Sequence, residues 1–466
     1  MKPLFFVLTL FILVHYSESH IEWFTKDIPN FLTNKATEIK SLIETKVHSL
    51  KSNVGAKNPR MDEPNFQNII GSQPVEYHTN NEDPSIYMTT PQLIASHGYL
   101  SESHTIVTED GYILTVHRIP YSGKENYNYV NQDTILLHHG LLGSSADWVI
   151  PGPEKGLPYI LSKAGYDVWI ANVRGNTYSR SHVFLNTDTF AFWNFTFHEV
   201  SQYDLPAVID YIVNIKGPEV KLNYIGHSMG TTILFALLST KTQYNKVLRG
   251  GYALAPVAFM SNVRSPIHLL AKYSYDLEFI LKLIGVNEFL PHGSVLSWLS
   301  QHACEMNDYE QQICENSIFM LCGHDEKEFN RTLLPTILGH TPAGASSKTL
   351  VHYAQEINNA GSFQQFDYGI QGNIRAYGTF APPEYPLNKI TLPIALFSAE
   401  NDWLASDVDV TNLAVKIPNL IEHYIVPLKE FNHLDFVWAK DAPTLVFAKL
   451  LQLLKEVDAT YNFVLR

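Results

Sequence analysis

The sequence predicts an α/β protein built on one mostly parallel sheet with helices on both of its faces. Short apolar runs alternate with helical segments over most of the chain, which is typical of parallel strands joined by helical crossovers. One buried strand and one buried helix are separated only by a Gly-x-Ser-x-Gly turn. The core is predicted in two parts, residues 90–257 and 387–466, on either side of a helix-rich insertion.

Residues 1–19 are predicted to be a signal peptide for secretion. They contain a positive start, an apolar core and small residues before a cleavage site: Lys2, residues 4–14, Ser17 and Ser19. The alternative is a membrane anchor, but the apolar run is short for a bilayer span. Residues 20–89 are predicted to be an extension, with an amphipathic helix from Asp27 to Leu50 and then a linker rich in Asn, Pro, Gly and Ser.

The core elements follow in chain order. A short helix is predicted from Thr90 to Gly98, with Thr90 as its N-cap and Gly98 as its stop. Apolar and β-branched runs predict strands at Ser103–Thr108, Tyr112–Arg118, Thr134–His138, Asp167–Val173, Val220–Ile225, Gly251–Pro256, Ile394–Ser398 and Glu422–Val426. Apolar residues at helical spacing predict further helices at Pro158–Ala164, Tyr203–Ile215, Thr231–Leu238 and Ala442–Val457.

Residues 258–386 interrupt this alternation and are predicted to form a helical cap over the carboxyl edge of the sheet. Within them, Glu288 to Cys322 is a candidate lid. Its apolar face consists of Leu290, Val295, Leu296, Trp298 and Leu299. Such a face can cover a site in water and contact lipid when it opens. The same residues are equally suited to the core of the cap, and the sequence leaves both interpretations open.

The 466 residues include 33 Lys and Arg against 46 Asp and Glu, so the formal net charge is −13. Nucleic acid is therefore not an expected partner, because its phosphates would be repelled. Beyond the N-terminal apolar run no stretch is long enough to cross a bilayer, and no transmembrane segment is expected in the mature protein. We expect a monomer.

Cysteines and sequons are the expected modification sites in a secreted chain. Two of Cys304, Cys314 and Cys322 are expected to form a disulfide in an oxidising compartment, leaving one thiol free. Their spacing to neighbouring histidines matches no known metal site, so neither a metal nor another cofactor is expected. Asn194 and Asn330 are candidate glycosylation sites, and the charged neighbours of Asn330 favour it over Asn194, which lies among aromatic residues.

The Gly-x-Ser-x-Gly turn places Ser228 between a predicted strand and a predicted helix. This arrangement is that of a nucleophile elbow, in which the serine has a strained backbone and an exposed hydroxyl. Gly226 and Gly230 suit it because a Cβ at either position would strike neighbouring backbone. A serine hydroxyl is a poor nucleophile by itself, so a base and a group that orients the base are needed.

In α/β-hydrolases the chain order of these groups is Ser, then Asp or Glu, then His. Asp402 lies just past the predicted strand Ile394–Ser398 and is the preferred acid. Glu400 is a competitor at the same strand end, and Asp407 and Asp409 are further competitors that resemble the acidic first turn of a helix.

The candidate base is His433, in the loop after the last predicted strand and directly before an apolar segment. The chain has 20 histidines, so position matters more than residue type. His423 is the competitor, but it lies inside a strand. The oxyanion of an acyl-transfer intermediate needs two backbone N–H donors, and the candidates are the amides of Leu141 and Met229. His138 and His139, beside Leu141, are expected to support that loop.

These residues occur in longer segments that resemble the acid lipase family, the family of gastric and lysosomal acid lipases. The resemblance extends from about Thr90 to about Lys455 and includes HHGLLGSSADW (138–148), AGYDVWIANVRGNTYSR (164–180), GHSMGTT (226–232), HTPAGASS (340–347), ENDWLA (400–405) and FNHLDFVWAKDAP (431–443). The family commonly has Gln where this chain has His138, often has Gln where it has Met229, and has GGND more commonly than the AEND of this chain. The extension before about residue 85 has no counterpart.

The resemblance implies an α/β-hydrolase fold with an inserted cap and lid, and hydrolysis of neutral-lipid esters. It assigns the nucleophile, acid and base to Ser228, Asp402 and His433, and the oxyanion donors to Leu141 and Met229. In this family the first two cysteines usually pair, which implies a Cys304–Cys314 disulfide. The expected enzyme is therefore a secreted lipase of the extracellular space or gut lumen, or a lysosomal one, that acts on triacylglycerols or sterol esters at an oil–water interface.

Two other functions compete with this one. One is a lipid-binding protein that keeps the fold without turnover, although an intact Ser, Asp and His set argues against it. The other is an esterase for small soluble esters, which would use the same residues.

Operation in acid also needs an explanation, because a histidine with a pKa near 6.5 is only about 3% neutral at pH 5.

Overall fold

The computed structural model describes residues 83–120, 133–271, 287–290, 319, 321–359 and 361–464. The predicted signal peptide, nearly all of the extension, Cys304, Cys314 and most of the candidate lid lie outside these residues. The strands are β1 (Glu102–Val107), β2 (Tyr112–Ile119), β3 (Thr134–His138), β4 (Asp167–Ile170), β5 (Ser181–His182), β6 (Leu222–His227), β7 (Leu248–Leu254), β8 (Glu288–Phe289), β9 (Ala345–Ser346), β10 (Ile394–Ser398) and β11 (Leu420–Ile425).

The helices surround these strands in sequence. They are α1 (Thr90–Ser96), α2 (Ala146–Val149), α3 (Leu157–Lys163), α4 (Phe190–Trp193), α5 (Phe197–Glu199), α6 (Leu205–Lys216), α7 (Met229–Thr240), α8 (Tyr244–Val247), α9 (Ile267–Ala271), α10 (Leu334–His340), α11 (Ser347–Asn358), α12 (Gly369–Tyr377), α13 (Asp407–Lys416), α14 (Asp435–Trp438) and α15 (Ala448–Val464). Wider π turns precede α6 at Val200–Asp204 and α15 at Pro443–Phe447. Single 3₁₀ turns occur at Pro84–Ile86, Arg331–Leu333 and Leu387–Lys389.

The main sheet has the strand order β1-β2-β4-β3-β6-β7-β10-β11, with β5 paired to β2. The pairs from β4 through β11 are parallel, and β2 is antiparallel to β1, β4 and β5. The prediction of a mostly parallel sheet is confirmed. Because parallel neighbours run the same way, the carboxyl ends of β3, β6, β10 and β11 meet at one edge.

Burial explains why the central strands read as continuous apolar runs. All residues of β3, β6 and β10 are buried, because helices cover both faces of the sheet there. The helix after β6 is buried on nearly all sides, from Met229 to Ser239. Fully burying a side chain such as Leu or Ile is worth about 1.5–3 kcal/mol, so this central layer supplies much of the free energy of folding.

Most predicted elements are present, and β3 and β10 begin and end at the predicted residues. The N-cap of α1 was assigned to the wrong residue: it is Thr89, whose amide donates to Gln92 Oε1, while Thr90 is the first helical residue. Strand β4 ends at Ile170 rather than Val173. The reason is that the Val173 amide donates to the ring of His139, so the chain has already left the sheet.

Between β7 and β10 the described residues contribute no strand to the main sheet. They form helices and one small antiparallel pair, β8 with β9. Among the described residues, no helix combines the length and apolar character needed to cross a membrane.

Candidate active site

Ser228 lies in the turn between β6 and α7, at the carboxyl edge of the sheet. Its backbone has φ 53° and ψ −116°, a conformation that L-residues seldom adopt. A Cβ on Gly226 would lie 2.7 Å from the carbonyl carbon of Gly230, and one on Gly230 would lie 2.5 Å from the His138 carbonyl oxygen. Both glycines are therefore required by close backbone contacts, as the sequence predicts.

The structure places Ser228, His433 and Asp402 in one chain of hydrogen bonds. The Ser228 Oγ lies 2.8 Å from His433 Nε2, and His433 Nδ1 lies 2.8 Å and 3.0 Å from the two carboxylate oxygens of Asp402. Asp402 is fully buried and His433 is 3% exposed. These residues come from positions more than 30 apart in the chain, and only the sheet edge brings them together.

Local hydrogen bonds hold Asp402, the predicted acid, in place. The Asp402 carboxylate follows β10 and accepts from the amides of Leu404 (2.9 Å) and Ala405 (2.8 Å). Arg264 donates to the main-chain carbonyl of Asp402 at 2.9 Å. The carboxylate oxygens are therefore directed toward His433, the side on which the tautomer with a proton on Nδ1 can donate to them.

His433, the predicted base, is held by its own loop and by Cys322 and Gly323. Asn432 accepts from the Leu434 amide (2.8 Å) and donates to the Gly323 carbonyl (3.0 Å). The carbonyl of Cys322 accepts from the amides of both His433 (3.4 Å) and Trp403 (3.3 Å), so it links the two loops. Cys322 is a free, buried thiol, and burial raises its pKa well above the usual range.

The residues that compete with Asp402 and His433 for the roles of acid and base lie outside this chain of hydrogen bonds. Glu400 and Asp407 are exposed. Asp409 is buried, but its carboxylate binds the backbone amide and side chain of Asn262. His423 lies on β11, and its ring is within 2.9 Å of the Ser398 hydroxyl.

The turn of residues 140–143 lies against Ser228. A Cβ on Gly140 would be 3.1 Å from Ser228 Cβ, and the turn is closed by a 3.2 Å bond from the Gly143 amide to the Gly140 carbonyl. Neither the Leu141 nor the Met229 amide donates a hydrogen bond to another of the residues that the structure describes. Both predicted oxyanion donors therefore have no acceptor among the described residues.

Two buried histidines support this turn. His139 Nδ1 donates to the Gly140 carbonyl at 2.7 Å, and its Nε2 accepts from the Val173 amide at 3.2 Å. Burial lowers the pKa of His138 to about 3 and that of His139 to about 4. Both rings therefore stay neutral at mildly acidic pH, which suits support rather than proton transfer.

Two residues that sequence reasoning did not select also border the site. His227 Nε2 donates to the main-chain carbonyl of His433 at 2.9 Å. Asp147, in α2, contacts the 140–143 turn with a buried carboxyl group. The sequence contains a feature that points to Asp147: it is a lone carboxylate between Ala146 and Trp148, in an otherwise apolar segment.

The two sequons differ in exposure, and the more exposed one is Asn194, not Asn330 as their neighbouring residues predict. Asn194 is exposed and its side-chain oxygen accepts from Lys348 at 3.1 Å, whereas Asn330 is half-buried and caps a turn through the Thr332 amide.

In the described ranges there is no cluster of three or more His, Cys, Asp or Glu side chains able to hold a metal.

The parallel sheet, the strained elbow and the hydrogen-bonded Ser, His and Asp define the class of this protein, an α/β-hydrolase. Residues 90–152 match the family described as partial alpha/beta-hydrolase lipase region, and residues 133–283 match the alpha/beta hydrolase fold.

Several curated relatives are similar over most of their length. A gastric triacylglycerol lipase of Mus musculus is 41% identical over 378 residues, which cover 80% of this chain and 93% of the relative. Lipase 3 of Drosophila melanogaster is 38% identical over 366 residues, covering 78% and 92%. The lysosomal acid lipase/cholesteryl ester hydrolase of Homo sapiens is 37% identical over 375 residues, covering 80% and 92%. The chain belongs to the acid lipase family and is a carboxylic ester hydrolase of the lipase type.

Proposed function

We propose that the chain hydrolyses the ester bonds of neutral lipids, triacylglycerols first and sterol esters as a second class, through an acyl-enzyme on Ser228. The observation that carries this proposal is the 2.8 Å contact between the Ser228 hydroxyl and a histidine that Asp402 orients. Membership of the acid lipase family supports the substrate class, because relatives carry the names triacylglycerol lipase and cholesteryl ester hydrolase.

In the first half-reaction, Ser228 Oγ attacks the ester carbonyl carbon while His433 Nε2 accepts the hydroxyl proton. Asp402 keeps the proton-bearing Nδ1 directed at itself and stabilises the imidazolium that forms. The carbonyl oxygen becomes an oxyanion, which the amides of Leu141 and Met229 bind. Each donor of this kind is worth about 10²–10³ in rate. The intermediate collapses, the C–O bond to the alcohol breaks, and His433 gives its proton to the leaving alkoxide.

The second half-reaction repeats these steps with water. His433 takes a proton from a water molecule, whose oxygen attacks the acyl-enzyme, and returns it to Ser228 as the fatty acid leaves. No cofactor is needed for either half, since every proton is transferred by His433.

The access route to Ser228 is part of the proposal. We assign residues 258–386 to a cap and Glu288–Cys322 to its lid, which would open at an oil–water interface. The support is that residues 321–359 approach the site directly, through the Cys322 carbonyl and through a 2.7 Å bond from the Ala343 amide to the Leu142 carbonyl.

The cellular setting is also a proposal. Residues 1–19 would direct the chain into the secretory pathway, where residues 20–89 precede the enzyme and a Cys304–Cys314 disulfide and glycans on Asn194 and Asn330 would form. The relatives include a gastric and a lysosomal lipase, which matches the two expected destinations, the extracellular fluid and the lysosome. We propose that the enzyme acts as a monomer.

The test is release of fatty acid from emulsified triolein by the full chain, with Ser228→Ala as the inactive variant. We expect the variant to lose at least about 10³-fold in kcat, because the nucleophile is gone while substrate binding remains. Equal release by the variant and the wild type would remove Ser228 from the mechanism.

A second measurement separates a lipase from an esterase for soluble esters. Rates on tributyrin are followed from below to above its solubility limit. A lipase rate rises steeply when droplets appear, whereas an esterase rate has already levelled off. A cholesteryl oleate emulsion tested in parallel ranks the two lipid classes.

A further inference from the structure

Asp147 is a buried carboxyl group at the back of the 140–143 turn. Its side chain is on α2 and is 7% exposed. One carboxyl oxygen, Oδ1, accepts from the Thr341 hydroxyl at 2.8 Å, and the other, Oδ2, accepts from the Ser144 amide at 3.2 Å. A Cβ added to Gly143 would lie 2.1 Å from Oδ2, so the carboxyl group packs directly on the backbone of the turn.

The same carboxyl group closes a ring of contacts between the turn and residues 341–343. Thr341 binds Asp147, and two residues later the Ala343 amide donates to the Leu142 carbonyl at 2.7 Å. Leu142 has φ 64°, a left-handed conformation that a leucine adopts only when its surroundings impose it. Leu141 immediately precedes Leu142, so its amide lies in the same turn that these contacts hold.

Asp147 has no cationic partner among the residues that the structure describes. Helices α1, α3, α10 and α14 pack on α2. Their titratable side chains have other partners: Lys163 pairs with Glu154, Tyr159 packs on Tyr99, His340 donates to the Ser85 carbonyl, and Asp435 accepts from the Asn432 amide. Tyr178, in the loop after β4, is close enough to be affected: burial raises the pKa of this tyrosine, and the Asp147 charge raises it further.

We propose that Asp147 is a positioning residue for the oxyanion donor Leu141, and that it performs this role in its neutral form as well as or better than in its charged form. This inference rests on the proposed function, in which the Leu141 amide binds the oxyanion. Asp147 touches no reacting atom. It acts by holding Ser144 and Thr341 on either side of the turn.

The two protonation states differ in one hydrogen. In the charged form the Thr341 hydroxyl donates to Oδ1; in the neutral form the carboxyl O–H donates to the Thr341 oxygen, because a hydroxyl is both donor and acceptor. The Ser144 bond persists in both. A buried negative charge behind the turn opposes the oxyanion that forms in front of it, so the neutral form favours turnover. Burial raises the pKa of Asp147 to about 7, which leaves the group neutral in acid.

The experiment measures kcat and KM on p-nitrophenyl butyrate below its solubility limit, from pH 4.5 to 8, so that lipid binding does not contribute. A phosphonate titration counts reactive serines in each preparation. We expect Asp147→Ala to lower kcat by about 10–100-fold with KM changed less than threefold, since a misdirected oxyanion donor affects the transition state more than the ground state.

Asp147→Asn is the conservative rescue variant. Its amide donates to Thr341 and its carbonyl accepts from Ser144, as in the neutral acid. We expect it to recover at least a third of the wild-type kcat at pH 5. We also expect the wild-type kcat to decline as pH rises through about 7, and the Asn variant to lack this decline. Asp188→Asn, which removes an exposed carboxylate, is the matched control and should keep the wild-type pH profile.

Two outcomes would overturn the inference: an Asp147→Ala enzyme with a kcat within twofold of the wild type, or an Asn variant as inactive as the Ala variant. If Asp147→Ala does not fold, Thr341→Val supplies the test by removing the other end of the bond. It should lower kcat at least threefold, while Thr341→Ser should not, and equal kcat values in this pair would also contradict the proposal. Activity remaining in Ser228→Ala would instead refute the proposed function, so the two failures are distinguishable.

Discussion

The imidazole of His227 donates a hydrogen bond to the main-chain carbonyl of His433 at 2.9 Å. The residue that directly precedes the proposed nucleophile therefore anchors the backbone of the proposed base. Burial, and then the nearby His433, lower the pKa of His227 to about 3. The ring stays neutral in acid, and the tautomer with its proton on Nε2 is the one that can make this bond.

We predict that His227→Ala lowers kcat by about tenfold on a soluble ester, since His433 loses an anchor while all three proposed catalytic side chains remain. His227→Gln should recover part of the loss, because its amide can also donate to the His433 carbonyl. Steady-state kinetics with serine titration provide the measurement. Equal kcat values for the Ala and Gln variants would show that the bond has no role in turnover.

Asp402 is predicted to be far more important than its neighbour Glu400. Asp402→Asn should lower kcat about 10³–10⁴-fold, because the amide favours the wrong tautomer of His433 and gives no charge stabilisation to its cation. Glu400→Gln, two residues earlier and exposed, is the matched control and should retain more than half of the wild-type kcat. A large loss in the Glu400 variant would transfer the orienting role to that residue.

Gly230 is predicted to tolerate no side chain. In Gly230→Ala the added Cβ would lie 2.5 Å from the His138 carbonyl oxygen, a backbone atom that cannot turn away. We expect the free energy of unfolding to fall by about 2–3 kcal/mol, as in overpacked cores. Gly217→Ala is the comparison, since its Cβ meets nothing within 4 Å and only its φ of 105° is unfavourable for alanine. Urea unfolding measures both, and a Gly230 variant no less stable than the Gly217 variant would contradict the close contact.

Asp147 is predicted to make the stability of the protein depend on pH. Burial raises the pKa of its carboxyl group from 3.8 to about 7 in the folded protein, so the folded state holds one more proton than the unfolded state between these values. Its contribution to stability is complete below about pH 4 and is lost as pH rises through about 7. The slope for one proton is at most about 1.4 kcal/mol per pH unit.

The difference between Asp147→Asn and the wild type isolates this effect. Buried histidines such as His138 and His352, whose pKa values burial lowers to about 3, act with the opposite sign and destabilise the fold as pH falls below about 6.5 in both proteins. We expect the free energy of unfolding of the variant, relative to the wild type, to increase between pH 4.5 and 6.5. Denaturant curves that keep the same separation at both pH values would rule out the raised pKa.

Local pattern was sufficient to predict much of the fold. Apolar runs such as Thr134–His138 and Ile394–Ser398 appear as strands at the predicted residues because both faces of the central sheet are covered. The predicted ends of elements were wrong where a side chain accepts a hydrogen bond from a backbone amide. The N-cap of α1 is one residue earlier than predicted, because the Gln92 side chain accepts from the Thr89 amide. Strand β4 is shorter than predicted, because the His139 ring accepts from the Val173 amide.

The sequence by itself predicted the candidate catalytic residues, because Gly226, Ser228 and Gly230 encode a turn that few other residues can form, and because Asp402 and His433 follow predicted strands. Tertiary structure alone decided which groups meet. Strand order β3-β6-β7-β10-β11 brings distant strand ends to one edge, and contacts such as His227 to His433 and Asp147 to Thr341 join residues about 200 positions apart. Hydrogen bonds act over about 3 Å, whereas sequence patterns report only on near neighbours, so such pairs become visible only once the sheet is assembled.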